Sequence, residues 1–192
     1  MKQRTLAGRS VSAIGLGAMP LSMNNDKQYP SHEDAIATVH AALDAGVTLI
    51  DTADCYAPAW NATGVNERIV AEAIRTWSGD GSSIFVATKG GITRSEGEMW
   101  GRDGSATYLR QAVSQSLENL GVDVIDLYQY HRPDRWIVYG EVMATLATLQ
   151  QEGLIRAVGI SNASVEEIAI AQRPGEGTSR SRRGPTPRPR CA

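Results

Sequence analysis

Cysteine is nearly absent from this chain: Cys55 and Cys191 are the whole supply among 192 residues. Two cysteines so far apart in sequence make neither a disulfide framework nor a zinc-ligand cluster, and they fit a reducing, cytoplasmic setting. Long apolar runs are missing too. No stretch of about 18 apolar residues is available to span a bilayer, and Met1-Lys2-Gln3-Arg4-Thr5 leads into no apolar core of a secretory leader. Neither secretion nor membrane insertion is expected. Nor is there an excess of one charge. A formal net charge of -2 gives no overall pull toward nucleic acid or an acidic membrane, which leaves small-molecule chemistry as the default.

That balance averages two unlike parts. Residues 173–192 hold Arg173, Arg180, Arg182, Arg183, Arg188 and Arg190 against the single acid Glu176, so the preceding body is acidic and the tail basic. The tail also holds half of the chain's prolines and almost nothing apolar. Such a composition cannot offset chain entropy by burial, and disorder is expected there. Clustered guanidiniums suit phosphates, but no aromatic and no lysine is interleaved with them, and no nucleic-acid partner is expected. The composition changes mid-helix rather than at a linker, which fits an out-of-frame or truncated reading of a longer coding sequence.

What is present in residues 1–172 is alternation. With 42% hydrophobic and 21% charged residues the chain has material for a real core. Short β-branched or apolar runs alternate with longer segments of helical period, about five times over, which argues for βα units and a parallel sheet. Gln3–Leu6 and Ser10–Ile14 flank Ala7-Gly8-Arg9 as an opening hairpin. Parallel strands are expected at 14–18, 47–51, 84–89, 124–131 and 155–160. Helices are expected after Ser31, over about 66–77, after Ser105, over about 140–152, and after the capping box Ser164-Val165-Glu166-Glu167. Arg173-Pro174-Gly175 breaks the last helix and no sixth strand follows. The fold class is therefore α/β, an incomplete (β/α)₈ TIM barrel with an N-terminal β-hairpin. A complete barrel takes about 250 residues.

The functional case rests on the polar residue that ends each strand: Asp51, Lys89, His131, and Ser161 with Asn162. All are at carboxyl ends, which in a parallel barrel form one face, the face on which active sites are built. Tyr56 lies in the loop after Asp51. A phenol has an ordinary pKa of about 10; an adjacent Lys89 ammonium would favour the phenolate, with Asp51 holding that ammonium in place. His131 can hydrogen-bond a carbonyl oxygen. These groups supply a proton and an electrostatic cradle but no electrons, so a hydride-donating cofactor is implied. Ser161 and Asn162 suit the carboxamide of a nicotinamide ring. Gly17, in Gly15-Leu16-Gly17-Ala18-Met19-Pro20, allows close approach of backbone to a ligand. The same segment is a poor dinucleotide fingerprint, because Pro20 replaces the third glycine and no helix opens directly. Taken singly each residue has a bland reading as a turn acid, a solvated lysine or a structural histidine. His32 and His40 stay in that structural class, and no metal is assigned. Trp60, Trp100 and Trp136 lie in loops expected on the same face, as an aromatic wall or as packing.

Four segments then carry a resemblance. Gly46-Val47-Thr48-Leu49-Ile50-Asp51-Thr52-Ala53-Asp54-Cys55-Tyr56, Ala87-Thr88-Lys89-Gly90, Asp126-Leu127-Tyr128-Gln129-Tyr130-His131-Arg132-Pro133-Asp134 and Val158-Gly159-Ile160-Ser161-Asn162 resemble, in order, the signatures of the aldo-keto reductases. The resemblance spans about residues 3–172. It implies NADPH-dependent reduction of an aldehyde or ketone, with Tyr56 as acid, Lys89 and Asp51 as its tuning pair, His131 orienting the substrate, and Ser161 and Asn162 at the nicotinamide. The family's strands six to eight, and its basic loop for the cofactor's ribose phosphate, have no counterpart here. The alternative is a non-catalytic, cofactor-binding regulatory module or an inactive fragment. Substrate identity and oligomeric state are left open by the sequence.

Overall fold

The computed structural model describes residues 1–172 apart from Asn25 and Lys27. The expectations for the basic tail fall outside the described residues.

The chain opens with an antiparallel hairpin, β1 (Gln3–Leu6) and β2 (Arg9–Ser12), turned by Ala7 and Gly8 at positive φ. Five parallel strands follow: β3 (Leu16–Gly17), β4 (Leu49–Asp51), β5 (Phe85–Gly90), then β8 (Ile125–Tyr130) and β9 (Ile155–Ile160), side by side in that order. Helices α1 (His32–Asp44), α2 (Val65–Thr76), α3 (Ala106–Leu120), α4 (Tyr139–Gln151) and α5 (Val165–Ala171) come between and after them. A second hairpin, β6 (Ile92–Ser95) with β7 (Met99–Arg102), rises from the end of β5. Among the described residues β3 and β9 are the sheet's edges, as an unclosed barrel requires.

The caps act where the sequence places them. Ser31, Ser105 and Ser164 each accept from a backbone N–H of the first turn, and Ser164 with Glu167 completes a reciprocal capping box. Gly121 ends α3 in the left-handed conformation. The first two parallel strands are shorter than their apolar runs. Just before β4, Ser12 N–H donates to Thr48 Oγ1 (2.8 Å) and Thr48 N–H donates to Ser12 Oγ (2.9 Å), tying the opening hairpin to the sheet.

Two outer cores join helices to sheet. One gathers Val39, Leu43, Ile50, Ile69 and Val70; the other gathers Leu109, Val113, Tyr128, Tyr130, Leu146 and Leu149. On the inner face Phe85, Ala87 and Leu127 pack against Val11 of the hairpin, which plugs the lower end. The two-residue period of a strand then carries the same inward files upward to polar residues. Phe85 and Ala87 lead to Lys89, Leu49 to Asp51, and Leu127 to Gln129 and His131, with Lys89 opposite Gln129 in register.

Candidate active site

The polar ends of these files meet. Lys89, 5% exposed, spends its ammonium on three acceptors: Asp51 Oδ2 at 2.6 Å, the Thr52 carbonyl at 2.8 Å and Tyr56 Oη at 3.3 Å. Because Lys89 donates to the phenol oxygen, the phenolic proton is left for another acceptor. Gln129 Nε2 donates to the other Asp51 oxygen at 3.0 Å, so that carboxylate is held on both sides. The His131 ring meets the Tyr56 ring edge-on with centroids 5.5 Å apart. His131 is also tied from behind, with Cys55 Sγ 3.6 Å from Nδ1 and its carbonyl accepting from Asn162 Nδ2 at 3.0 Å.

Burial sets the protonation of this group. His131 is pushed down to about 4, chiefly because the pocket desolvates the imidazolium, with the Lys89 and Arg132 charges adding to it. The ring is neutral at neutral pH. Tyr56 is carried above its ordinary value: Lys89 acts in the expected lowering direction, but desolvation outweighs it. The phenol is therefore protonated at neutral pH. Burial and the adjacent Asp54 push the Cys55 thiol up, and burial raises Asp54 as well, more strongly than its hydrogen bonds lower it.

Asp51, Tyr56, Lys89, His131, Ser161 and Asn162 line one open cavity of about 670 Å³, within the range of small-molecule sites. Gly17 stands beside Asp51 in register but does not line it, and open space surrounds the position a Cβ would take there. Asn162 adopts φ 54, a left-handed geometry that asparagine tolerates. Of the three loop tryptophans only Trp100 reaches the cavity wall; Trp136 is 96% exposed.

Trp100 arrives on the β6–β7 hairpin, which the alternation of strands and helices did not foresee. With Ile92, Gly101 and Arg102 it supplies one wall. Its signal was the β-branched pair Ile92-Thr93 ahead of Glu96-Gly97, where Gly97 and Glu98 take positive φ. Arg94 fixes the hairpin by donating to the Ala57 carbonyl at 2.6 Å, pairing with Glu98, and lying 4.5 Å from the Trp100 ring centre. His32 and His40 do not line this cavity and bond instead to Glu72 and to the Ala73 carbonyl with Thr76. Sequence spacing also concealed one convergence: the donor atoms of Asp54, Cys55 and His131 lie within 4.8 Å of one another.

The aldo/keto reductase family profile matches residues 13–181. The chain belongs to the aldo/keto reductase family. It is 40% identical over 164 residues to a 6-dehydroglucose reductase of Novosphingobium aromaticivorans, an alignment covering 85% of this chain and 51% of that one. Among solved structures it is similar to a glycerol dehydrogenase of Gluconobacter oxydans, with a TM-score of 0.74 and 33% identity over 86% of this chain and 49% of that one. It is also similar to the holo form of an aldo-keto reductase of Bacillus halodurans, with a TM-score of 0.70 and 35% identity over 84% and 50%. The chain thus spans about half the length of the curated relatives it matches, and its sheet is a partial version of the family's barrel.

Proposed function

We propose that this chain carries the proton-donating part of an NADP-dependent carbonyl reductase acting on a small aldehyde or ketone. The observation that carries the reading is the Asp51–Lys89–Tyr56 chain, with its 2.6 and 3.3 Å links, opening onto the same cavity as His131. Tyr56 is the acid: protonated at neutral pH, it gives its proton to the developing alkoxide, and the Lys89 ammonium steadies the phenolate that remains. Asp51 holds Lys89 in place. Neutral His131 orients the carbonyl oxygen by hydrogen bonding.

A nicotinamide cofactor supplies the hydride when bound. The donor set fits its nicotinamide end: Ser161 offers a hydroxyl, Asn162 an amide, and Gly17 an unhindered backbone beside Asp51. Those residues bind and orient. The names of the relatives, a glycerol dehydrogenase and a 6-dehydroglucose reductase, make polyhydroxylated carbonyl compounds the first substrates to try.

The test is NADPH consumption by the purified chain with a panel of aldehydes and keto sugars, beside direct NADPH titration. Tyr56→Phe is expected to lower turnover by about 10²–10⁴-fold, the usual share of a positioned acid, while cofactor affinity holds. Turnover unchanged in Tyr56→Phe refutes the assignment. Tight NADPH binding without any turnover supports the regulatory-module alternative, and neither binding nor turnover supports an inactive fragment.

A further inference from the structure

Behind the imidazole of His131 lies a group of atoms that the reductase reading does not use. Cys55 Sγ and His131 Nδ1 are 3.6 Å apart. A tetrahedral zinc ion with Zn–S of about 2.3 Å and Zn–N of about 2.0 Å holds its sulfur and nitrogen about 3.5 Å apart, so these two donors already stand close to the edge length of such a site. The third donor comes from Asp54, whose carboxylate lies within 4.8 Å of both. Its Oδ1 is buried and has no hydrogen-bond partner. A buried carboxylate oxygen left unsatisfied is costly, and a cation is the partner that offsets the cost most fully.

Access exists from two sides. Cys55 lines both the active cavity and a second cavity of about 270 Å³ that it shares with Asp54. The donor set is one thiol, one imidazole and one carboxylate. Such a mixture favours zinc over magnesium or calcium, which prefer oxygen ligands.

We propose that Asp54, Cys55 and His131 form a binding site for a thiophilic divalent cation, Zn²⁺ in the first instance, with water in the fourth position. Binding replaces the thiol proton of Cys55 as the Zn–S bond forms and any proton on the Asp54 carboxyl as the Zn–O bond forms; both leave to the buffer, and no electrons move. The ion takes Nδ1 of His131, and the ring proton resides on Nε2. The site does not depend on reductase activity, since its ligands are complete in residues that the chain holds without a cofactor.

The experiment uses Co²⁺ alone as probe, on the full chain carrying Cys191→Ser so that Cys55 is the only thiol. One tetrahedral Co²⁺ per chain is expected, with visible d–d bands and a near-ultraviolet sulfur-to-metal charge-transfer band. Adding Cys55→Ser should abolish the charge-transfer band and weaken Zn²⁺ binding by more than about 100-fold, since loss of a ligand exceeds the 10–100-fold cost of losing an outer-shell partner. Asp54→Asn should weaken Zn²⁺ by at least about tenfold. Calorimetry in two buffers should show at least about one proton released per Zn²⁺, that of the Cys55 thiol, with any Asp54 proton adding to it. Absence of the charge-transfer band in the Cys191→Ser protein, or its persistence after Cys55→Ser, overturns the proposal and leaves Cys55 and His131 as an ordinary hydrogen-bonded pair. The first of these outcomes needs no variant at Cys55, so a folding defect there cannot mask the answer. None of the readouts involves turnover, so failure of the metal site and failure of the reductase reading remain separate results.

Discussion

At the scale of single residues, close packing beneath the site is set by Gly90 and Tyr128. A Cβ added at Gly90 would lie 2.0 Å from Tyr128 Oη and 3.2 Å from Asp54 Oδ2, so this strand end has no room for one. Tyr128 itself is fully buried and its hydroxyl has no hydrogen-bond partner. The hydroxyl has therefore lost its water without gaining a replacement, and deleting it removes a desolvation penalty. Tyr128→Phe is expected to be neutral or stabilising by about 1 kcal/mol, read from urea denaturation midpoints. Gly90→Ala is expected to destabilise by about 1–3 kcal/mol through overpacking, and adding Tyr128→Phe should recover part of that loss. A Tyr128→Phe protein less stable than its parent by more than about 1 kcal/mol would show that the hydroxyl has a partner after all.

At the scale of elements, Glu67 ties two helices to a strand. From α2 it accepts from Thr88 of β5 at 2.6 Å and from Asn119 of α3 at 2.9 Å, while wholly buried. Burial raises its pKa more than these hydrogen bonds lower it. The folded state thus holds the Glu67 proton to higher pH than the unfolded chain does. Stability from this residue is full below the unfolded value near 4.5, declines as pH rises through the folded value, and is flat above it. Glu67→Gln removes the titration, and the Thr88 hydroxyl can turn to accept from the new amide. The stability of Glu67→Gln relative to the parent should therefore rise between pH 4 and neutrality, measured by denaturant melts across that range. A constant difference would mean that Glu67 titrates alike in both states. Glu67 also marks what the sequence conceals. Strands, helices and caps were legible because each follows from local period or capping chemistry, and Asp51, Lys89 and His131 were legible because each ends a strand. Glu67, Gln129 and the Asp54–Cys55–His131 convergence were not, since each depends on which neighbours the sheet order supplies. The β6–β7 hairpin escaped because it interrupts the alternation that made the other elements readable.

At the scale of the whole molecule, the sheet is open along β3 and β9 among the described residues, and the N-terminal hairpin packs on its inner face. Val11 is 2% exposed and is the hairpin's buried contribution to the cluster of Phe85, Ala87 and Leu127. The hairpin is also tied electrostatically, Arg9 Nη1 donating to Asp126 Oδ1 at 2.8 Å while Asp126 Oδ2 accepts from the Val86 N–H. These two attachments differ in worth. The Arg9 side chain is 36% exposed, and a pair with one such partner contributes at most about 1 kcal/mol after solvent screening. A charge placed at Val11 is pressed into the apolar cluster of Phe85, Ala87 and Leu127, with Arg4 opposite it in register as its one cation, and costs up to about 3–5 kcal/mol, the scale of an uncompensated buried ion. Against a domain stability of about 5–15 kcal/mol, that is the difference between a shift and a collapse. Arg9→Ala should lower the melting temperature by a few degrees and keep a cooperative transition, whereas Val11→Asp should abolish the cooperative melt seen by near-ultraviolet circular dichroism. If both variants melt alike, the plug is held by its charges, and the inner face of this half-barrel derives its order from something other than the apolar contact at Val11.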